Sequence, residues 1–269
     1  MSSYYGKAIR MERITNRKTG KTIIIPMDHG VTVGPIKGLD DMGKIVDLVA
    51  EGGANAVLGH VGLPLYGHRQ YGKDIGLILH LNGSSILSTS PNNKVLVNTV
   101  TDAIKFGADA VSVHINIGGR DDSEMIQILG GISRECREWG MPLLAMMYPR
   151  GENIENERNP EHIKIVTRIG AELGADIVKT PWTGDIDSFR EVVKGCPAPV
   201  IIAGGAKQGT KEILETTELA MDAGAKGVAY GRNVWQSSNV TKLTHAIALI
   251  VHEGYPAEDA IKELKIKVD

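Results

Sequence analysis

The sequence predicts an α/β protein built as one (β/α)8 TIM barrel, and three observations carry that expectation. First, 269 residues with 42% hydrophobic content and 32 glycines suit a single large α/β domain, since such barrels often run to about 250 residues. Second, a weak repeat recurs as Gly-Gly-Ala-Asn-Ala-Val-Leu (52–58), Gly-Ala-Asp-Ala-Val-Ser-Val (107–113), Gly-Ala-Asp-Ile-Val-Lys-Thr (174–180) and Gly-Ala-Lys-Gly-Val-Ala-Tyr (224–230). Each copy follows an amphipathic stretch, so it reads as a helix closed by a left-handed glycine and followed at once by a buried strand. Third, such junctions imply parallel strands covered by helices. No linker or composition shift divides residues 1–269, so one domain is expected.

Residues 1–20 cluster Lys7, Arg10, Arg13, Arg17 and Lys18 among Ile9, Met11 and Ile14. They read as an N-terminal helical cap with a solvated basic face, not a binding arm. Apolar runs then predict strands near 22–28, 54–59, 76–81, 109–115, 142–148, 175–179, 199–203 and 227–230. Helices are expected over Met42–Glu51, Val100–Phe106, Glu161–Leu173 and Lys211–Ala223. Val61–Asp74 carries three glycines and a proline, which predicts a short or absent helix there. Ser84–Asn98 is polar and reads as an extended loop. An open doubly wound sheet is disfavoured because no Gly-x-Gly-x-x-Gly follows the first strand.

Composition narrows the function classes. The net charge of -2 offers no general affinity for nucleic acid. No apolar run approaches the ~20 residues of a membrane span, and the polar N-terminus lacks a signal peptide's apolar core. A cytoplasmic protein without membrane or nucleic-acid partners is expected. Cys136 and Cys196 make neither a metal spacing nor a disulfide framework and read as idle thiols.

In a barrel the C-terminal strand ends form the active face. Here they carry Asp28 and His29, His60, His80 and Asn82, His114 and Asn116, Tyr148 and Arg150, Lys179, Gly204 and Gly205, and Gly231 and Arg232. Lys179 ends an apolar run, where a lysine costs desolvation unless it is paired or its pKa falls, and a lowered pKa makes an amine nucleophilic. Asp28 ends an isoleucine run, an expensive place for a free carboxylate. It serves either as a structural ion-pair partner, with Lys179 as one option, or as a proton acceptor. Tyr148 either caps the barrel layer with its ring or passes a proton from its phenol. The glycine pairs after strands 7 and 8 let backbone N–H groups approach an anion, with help from the following helix dipole and the Arg232 fork; tight turns and a surface arginine are the plainer alternative. The four rim histidines lack His-x-x-x-His spacing and acidic company, so they read as hydrogen-bonded core or rim groups, and no metal is expected.

The segments Ile-Pro-Met-Asp-His-Gly (25–30), Met-Met-Tyr-Pro-Arg-Gly (146–151), Ala-Asp-Ile-Val-Lys-Thr (175–180), Ala-Gly-Gly (203–205) and Gly-Arg-Asn-Val-Trp-Gln (231–236) fall in an order that resembles the archaeal class I aldolase family. The likeness runs from about residue 7 to about residue 265. It implies a (β/α)8 barrel in which Lys179 forms a Schiff base with a phosphorylated ketose, Asp28 accepts a proton and Tyr148 donates one. It places Gly204, Gly205, Gly231 and Arg232 on the phosphate, and His29, Gly30, Val31, Thr32, Pro149 and Arg150 among the substrate-binding positions. No cofactor is implied, and a pentamer-based homo-oligomer, up to a decamer, is. Two branches share this machinery. One is a lyase that splits fructose 1,6-bisphosphate. The other is a transaldolase that joins L-aspartate semialdehyde to a fragment of 6-deoxy-5-ketofructose 1-phosphate, on a route to 3-dehydroquinate. The lyases tend to carry tryptophan where this chain has Met146. The segments Ile-Ile-Pro-Met-Asp-His-Gly-Val, Glu-Gly-Gly-Ala-Asn-Ala-Val-Leu, Tyr-Gly-Lys-Asp-Ile-Gly-Leu-Ile and Gly-Asp-Ile-Asp-Ser-Phe-Arg look closer to the transaldolases. Trp182, where relatives often have tyrosine, departs from the pattern. A non-catalytic sugar-phosphate sensor on the same barrel is the remaining alternative.

Overall fold

The computed structural model describes residues 2–67 and 73–266; Tyr71 and Gly72 of the Tyr-Gly-Lys-Asp motif lie outside them. Eight parallel strands close into a barrel: β1 (Thr22–Pro26), β2 (Ala56–Gly59), β3 (Gly76–His80), β4 (Ala110–Ile117), β5 (Leu143–Pro149), β6 (Ile177–Pro181), β7 (Val200–Ala203) and β8 (Gly227–Ala229). Their order around the ring is β1-β8-β7-β6-β5-β4-β3-β2. A helix follows each strand, from Met42–Gly52 after β1 to Val240–Ala248 after β8. The helix after β2, Gly62–Tyr66, spans five residues, as its glycines and proline predict. Among the described residues no helix is long and apolar enough to cross a membrane.

The repeated junction works as the sequence implies. Gly53, Gly107, Gly174 and Gly224 take φ values of +97°, +70°, +95° and +99°. The amide after each glycine reaches back to close its helix: Ala54 to Val49 O, Ala108 to Ala103 O, Ala175 to Gly170 O and Ala225 to Ala220 O, all at 2.9–3.0 Å. The next residue has a task the sequence does not disclose. Asn55, Asp109 and Asp176 accept the backbone N–H of Ile23, Leu77 and Leu143 at 2.8, 3.0 and 2.8 Å. Each thereby satisfies a neighbouring strand at its N-terminal edge.

The N-terminal helix α1 (Ser2–Ile14) lies across that same end of the barrel. Ile14 is fully buried and Met11 packs beside it against the interior residues Ile24, Leu58, Ile78, Leu144, Ile177 and Ile201. The basic side chains expected to be solvated are largely engaged. Lys7 pairs with Asp176 at 2.9 Å, Arg13 with Asp109 and Asp74, and Arg10 donates to Gly140 O at 2.8 Å. Repulsion-free docking onto acidic strand ends explains why the cap is basic.

At the opposite end, Ser84–Asn98 is more than an extended loop. Asn82–Gly83 pairs antiparallel with Val95–Leu96, so the intervening segment folds back over the barrel mouth. Asn116 Nδ2 on β4 donates to Asn92 O at 2.9 Å and ties that segment down.

Candidate active site

Alternate residues of a strand face the barrel interior. That rule turns Ile177 and Lys179 of β6 inward, and Lys179 sits in register beside Met146 of β5. Above them opens a cavity of about 470 Å³, within the range of small-molecule sites. Lys179 is 6% exposed, and its Nζ lies 3.8 Å from Met146 Sδ. Among the described residues no carboxylate comes within 4.0 Å of that nitrogen, so the Asp28 ion pair considered from the sequence is not formed.

Asp28 stands just past the end of β1, at the N-cap position of the short helix His29–Val33 but without a side-chain capping bond. Its Oδ1 is 3.6 Å from His29 Nδ1 and its Oδ2 3.9 Å from His80 Nε2. Burial pushes the carboxyl up, but the charges that His80, His29 and His60 take on in acid, with that of Lys179, outweigh it and hold Asp28 below the usual carboxylate range. Burial drives His80 down to about 3, so Asp28 is an anion beside neutral imidazoles at pH 7. His29, His60 and His114 are lowered by burial too.

The histidines divide on closer inspection. His80 Nδ1 meets Ser112 Oγ at 2.8 Å and His114 Nε2 meets Asn116 Oδ1 at 2.9 Å, as hydrogen-bonded core groups should. His29 Nδ1 and His60 Nδ1 are buried with no hydrogen-bond partner among the described residues, which the sequence reading did not foresee.

Tyr148 packs its ring against its neighbours and also reaches the cavity. Its ring stacks on His114 at 4.7 Å, and Arg150 sits 5.2 Å from the ring centroid. Its edge also lines the cavity. Arg150 forks onto Glu157 through two bonds of 2.6 Å.

Around the ring, Gly204, Gly205, Gly231 and Arg232 form one corner of the cavity. Gly205 has φ +65°, and a Cβ on Gly204 would meet Asn233 Nδ2 and the Tyr230 ring at 2.9 Å. Arg232 Nη2 donates to Gly205 O at 3.0 Å, while its Nε is buried without a partner among the described residues. Asn233 latches this corner, donating to Gly204 O at 2.9 Å and accepting from Gln208 N at 2.7 Å. The helix after β8 is one turn, Arg232–Trp235, so the dipole invoked from the sequence is short there.

His29, Thr32, Tyr148, Arg150 and Lys179 line the cavity, but three expected substrate-binding positions do not. Pro149 faces the opposite side of β5 from Tyr148 by strand alternation and is buried. Gly30 and Val31 ride the outer side of a one-turn helix, with Val31 45% exposed. Sequence reasoning also missed Lys94 and Glu157, which do line the cavity. Neither carries a periodic or motif signal: both sit in polar loops.

The profile of the DeoC/LacD family aldolases matches residues 22–237. The chain belongs to that aldolase family. This aldolase is 42% identical over 257 residues to the 2-amino-3,7-dideoxy-D-threo-hept-6-ulosonate synthase 1 of Archaeoglobus fulgidus, covering 96% of this chain and 95% of that one. It is 39% identical to the corresponding synthase of Halobacterium salinarum, over 98% of each chain. A solved archaeal fructose-1,6-bisphosphate aldolase, its catalytic lysine bound to a carbinolamine intermediate, superposes with a TM-score of 0.83 at 32% identity, covering 91% of this aldolase and 99% of that chain.

Proposed function

We propose that this aldolase is a 2-amino-3,7-dideoxy-D-threo-hept-6-ulosonate synthase: a Schiff-base transaldolase that joins L-aspartate 4-semialdehyde to a fragment of 6-deoxy-5-ketofructose 1-phosphate, toward 3-dehydroquinate and the aromatic amino acids. The observation that carries the reading is Lys179, an inward lysine on the cavity floor with no carboxylate within 4.0 Å among the described residues. Its side chain points at open space that a carbonyl can fill.

The chemistry follows. Lys179, as the neutral amine, adds to the ketose carbonyl, and the carbinolamine loses water to give an iminium. The iminium withdraws the electron pair of the neighbouring carbon–carbon bond, which breaks to leave an enamine on Lys179 and a released aldehyde. The enamine carbon then adds to the semialdehyde, and water cleaves the new iminium to free product and amine. Asp28, ionised at neutral pH, takes the protons, and the Tyr148 phenol returns them. The Gly204–Gly205 and Gly231–Arg232 corner holds the phosphate, and its binding energy fixes the reacting carbons against Lys179. Met146 under the lysine, in place of a tryptophan, and the 42% identity to a synthase support the transaldolase over the bisphosphate lyase.

The same reading includes a cytoplasmic, homo-oligomeric enzyme. Two buried unpaired thiols, Cys136 and Cys196, support a reducing compartment. Exposed Ile86, Leu87, Val95, Leu96 and Val97 beside Val31 and Val33 support contact with further copies. A side-by-side turnover assay tests the activity, pairing 6-deoxy-5-ketofructose 1-phosphate plus aspartate semialdehyde against fructose 1,6-bisphosphate alone. The expected result is a higher kcat/KM for the first pair; faster cleavage of the bisphosphate makes the chain a lyase.

A further inference from the structure

Lys94 is a buried cation of this cavity to which the proposed reaction assigns no role. It sits at the base of the segment held by the Asn82–Gly83 and Val95–Leu96 ribbon, is 6% exposed, and lines the cavity. Its Nζ donates to Ser84 Oγ at 2.7 Å, and no carboxylate lies within 4.0 Å of it among the described residues. A buried ammonium satisfied by one hydroxyl has two further N–H donors without a charged acceptor, a costly arrangement for stability alone. Arg150 faces the same space, but Glu157 already neutralises it through the two-bond fork. The excess charge of the trio is therefore one.

The phosphate corner spans β7 and β8. Lys94 leads off from β3, and its neighbours His114 and Arg150 come from the ends of β4 and β5. In the ring order the middle of β3–β4 stands across the mouth from the middle of β7–β8, with Lys179 of β6 on the wall between them. The corner is also prebuilt: Asn82 and His114 exchange two hydrogen bonds of 2.9 and 2.8 Å, and His114 stacks on Tyr148.

The geometry points to Lys94, with the neutralised Arg150–Glu157 fork beside it, as the seat of the acceptor's carboxylate. A single excess positive charge matches a monoanionic carboxylate better than a phosphate dianion. This assignment rests on the transaldolase reading and goes further by naming what selects the acceptor. Lys94 would act on KM for the acceptor and leave imine formation with the donor ketose intact.

The test uses the full-length protein, Lys94→Met and Lys94→Arg, with two acceptors: L-aspartate semialdehyde and 3-aminopropanal, which lacks the carboxylate. Borohydride trapping with the donor alone runs beside it. The expected result is a loss in kcat/KM of about 10- to 100-fold for aspartate semialdehyde in Lys94→Met, mainly through KM. The same variant should change 3-aminopropanal turnover little, trap the donor imine normally, and be partly rescued by Lys94→Arg. Equal losses for both acceptors, or an unchanged KM for aspartate semialdehyde, overturn the assignment. So does an acceptor KM that follows Arg232→Met instead, because the acceptor would then reuse the phosphate corner. A wild-type protein that traps no imine contradicts the transaldolase reading itself, and this one with it.

Discussion

Asp28 occupies a place where burial favours the neutral acid, yet the charges that His80, His29 and His60 take on in acid, with that of Lys179, favour the carboxylate more. The imidazoles around it are kept neutral by the same burial. His80 titrates at about 3, and His252, bonded to Asn55 and Thr19 outside the site, at about 4. Both lie below the ordinary imidazole value of ~6.5. As pH falls below that value the unfolded chain takes up protons that the folded chain refuses. Stability is therefore full above pH ~6.5 and is lost progressively toward pH 4 and below. Asp28, also depressed, adds to the loss at the acid end of that window. Urea midpoints should hold steady from pH 8 to 7 and fall between pH 6.5 and 4.5, with a shallower fall in His252→Gln. A midpoint that rises on acidification contradicts these assignments. Lys179 and Asp28 are legible in the sequence because a charged residue ending an apolar run is conspicuous. Lys94 is not, because its burial depends on a ribbon that closes a polar loop.

The recurring element is the helix, the left-handed glycine and the strand that starts three residues later. Its glycines are readable because a positive φ excludes most other residues. The polar residue after Gly-Ala is not, since its partners come from neighbouring strands 32 or 33 positions away for Asn55, Asp109 and Asp176. Asp176 shows what the device contributes, receiving both Lys7 Nζ and the Leu143 N–H. Asp176→Ala leaves a strand amide and a half-buried lysine without their acceptor, an expected cost of about 2 kcal/mol. Because this carboxylate lies at the end of the barrel remote from the cavity, kcat/KM should stay at the wild-type value. Lost activity at full stability would show that the two ends are coupled. The short helices His29–Val33 and Arg232–Trp235 are the elements whose residues the sequence places least well. One turn has too little periodicity to tell an inward side chain from an outward one, which is why Gly30 and Val31 fall outside the cavity wall.

On the scale of the whole molecule, the barrel separates stability from chemistry. One end is closed by α1, with Ile14 and Met11 under the interior layer and basic side chains on the strand-edge acids. The other end gathers Asp28, Tyr148, Lys179, Lys94 and the glycine–arginine corner around one cavity. Parallel strands make this possible, because all eight C-terminal ends open on one face. In the proposed reaction Lys179 alone carries the substrate as an imine. The direct measurement is borohydride reduction of the protein with 6-deoxy-5-ketofructose 1-phosphate, followed by peptide mass mapping. A ketose-derived adduct is expected on Lys179 in the wild-type chain and none in Lys179→Met. An adduct on another lysine, or trapping that survives in the variant, would contradict it.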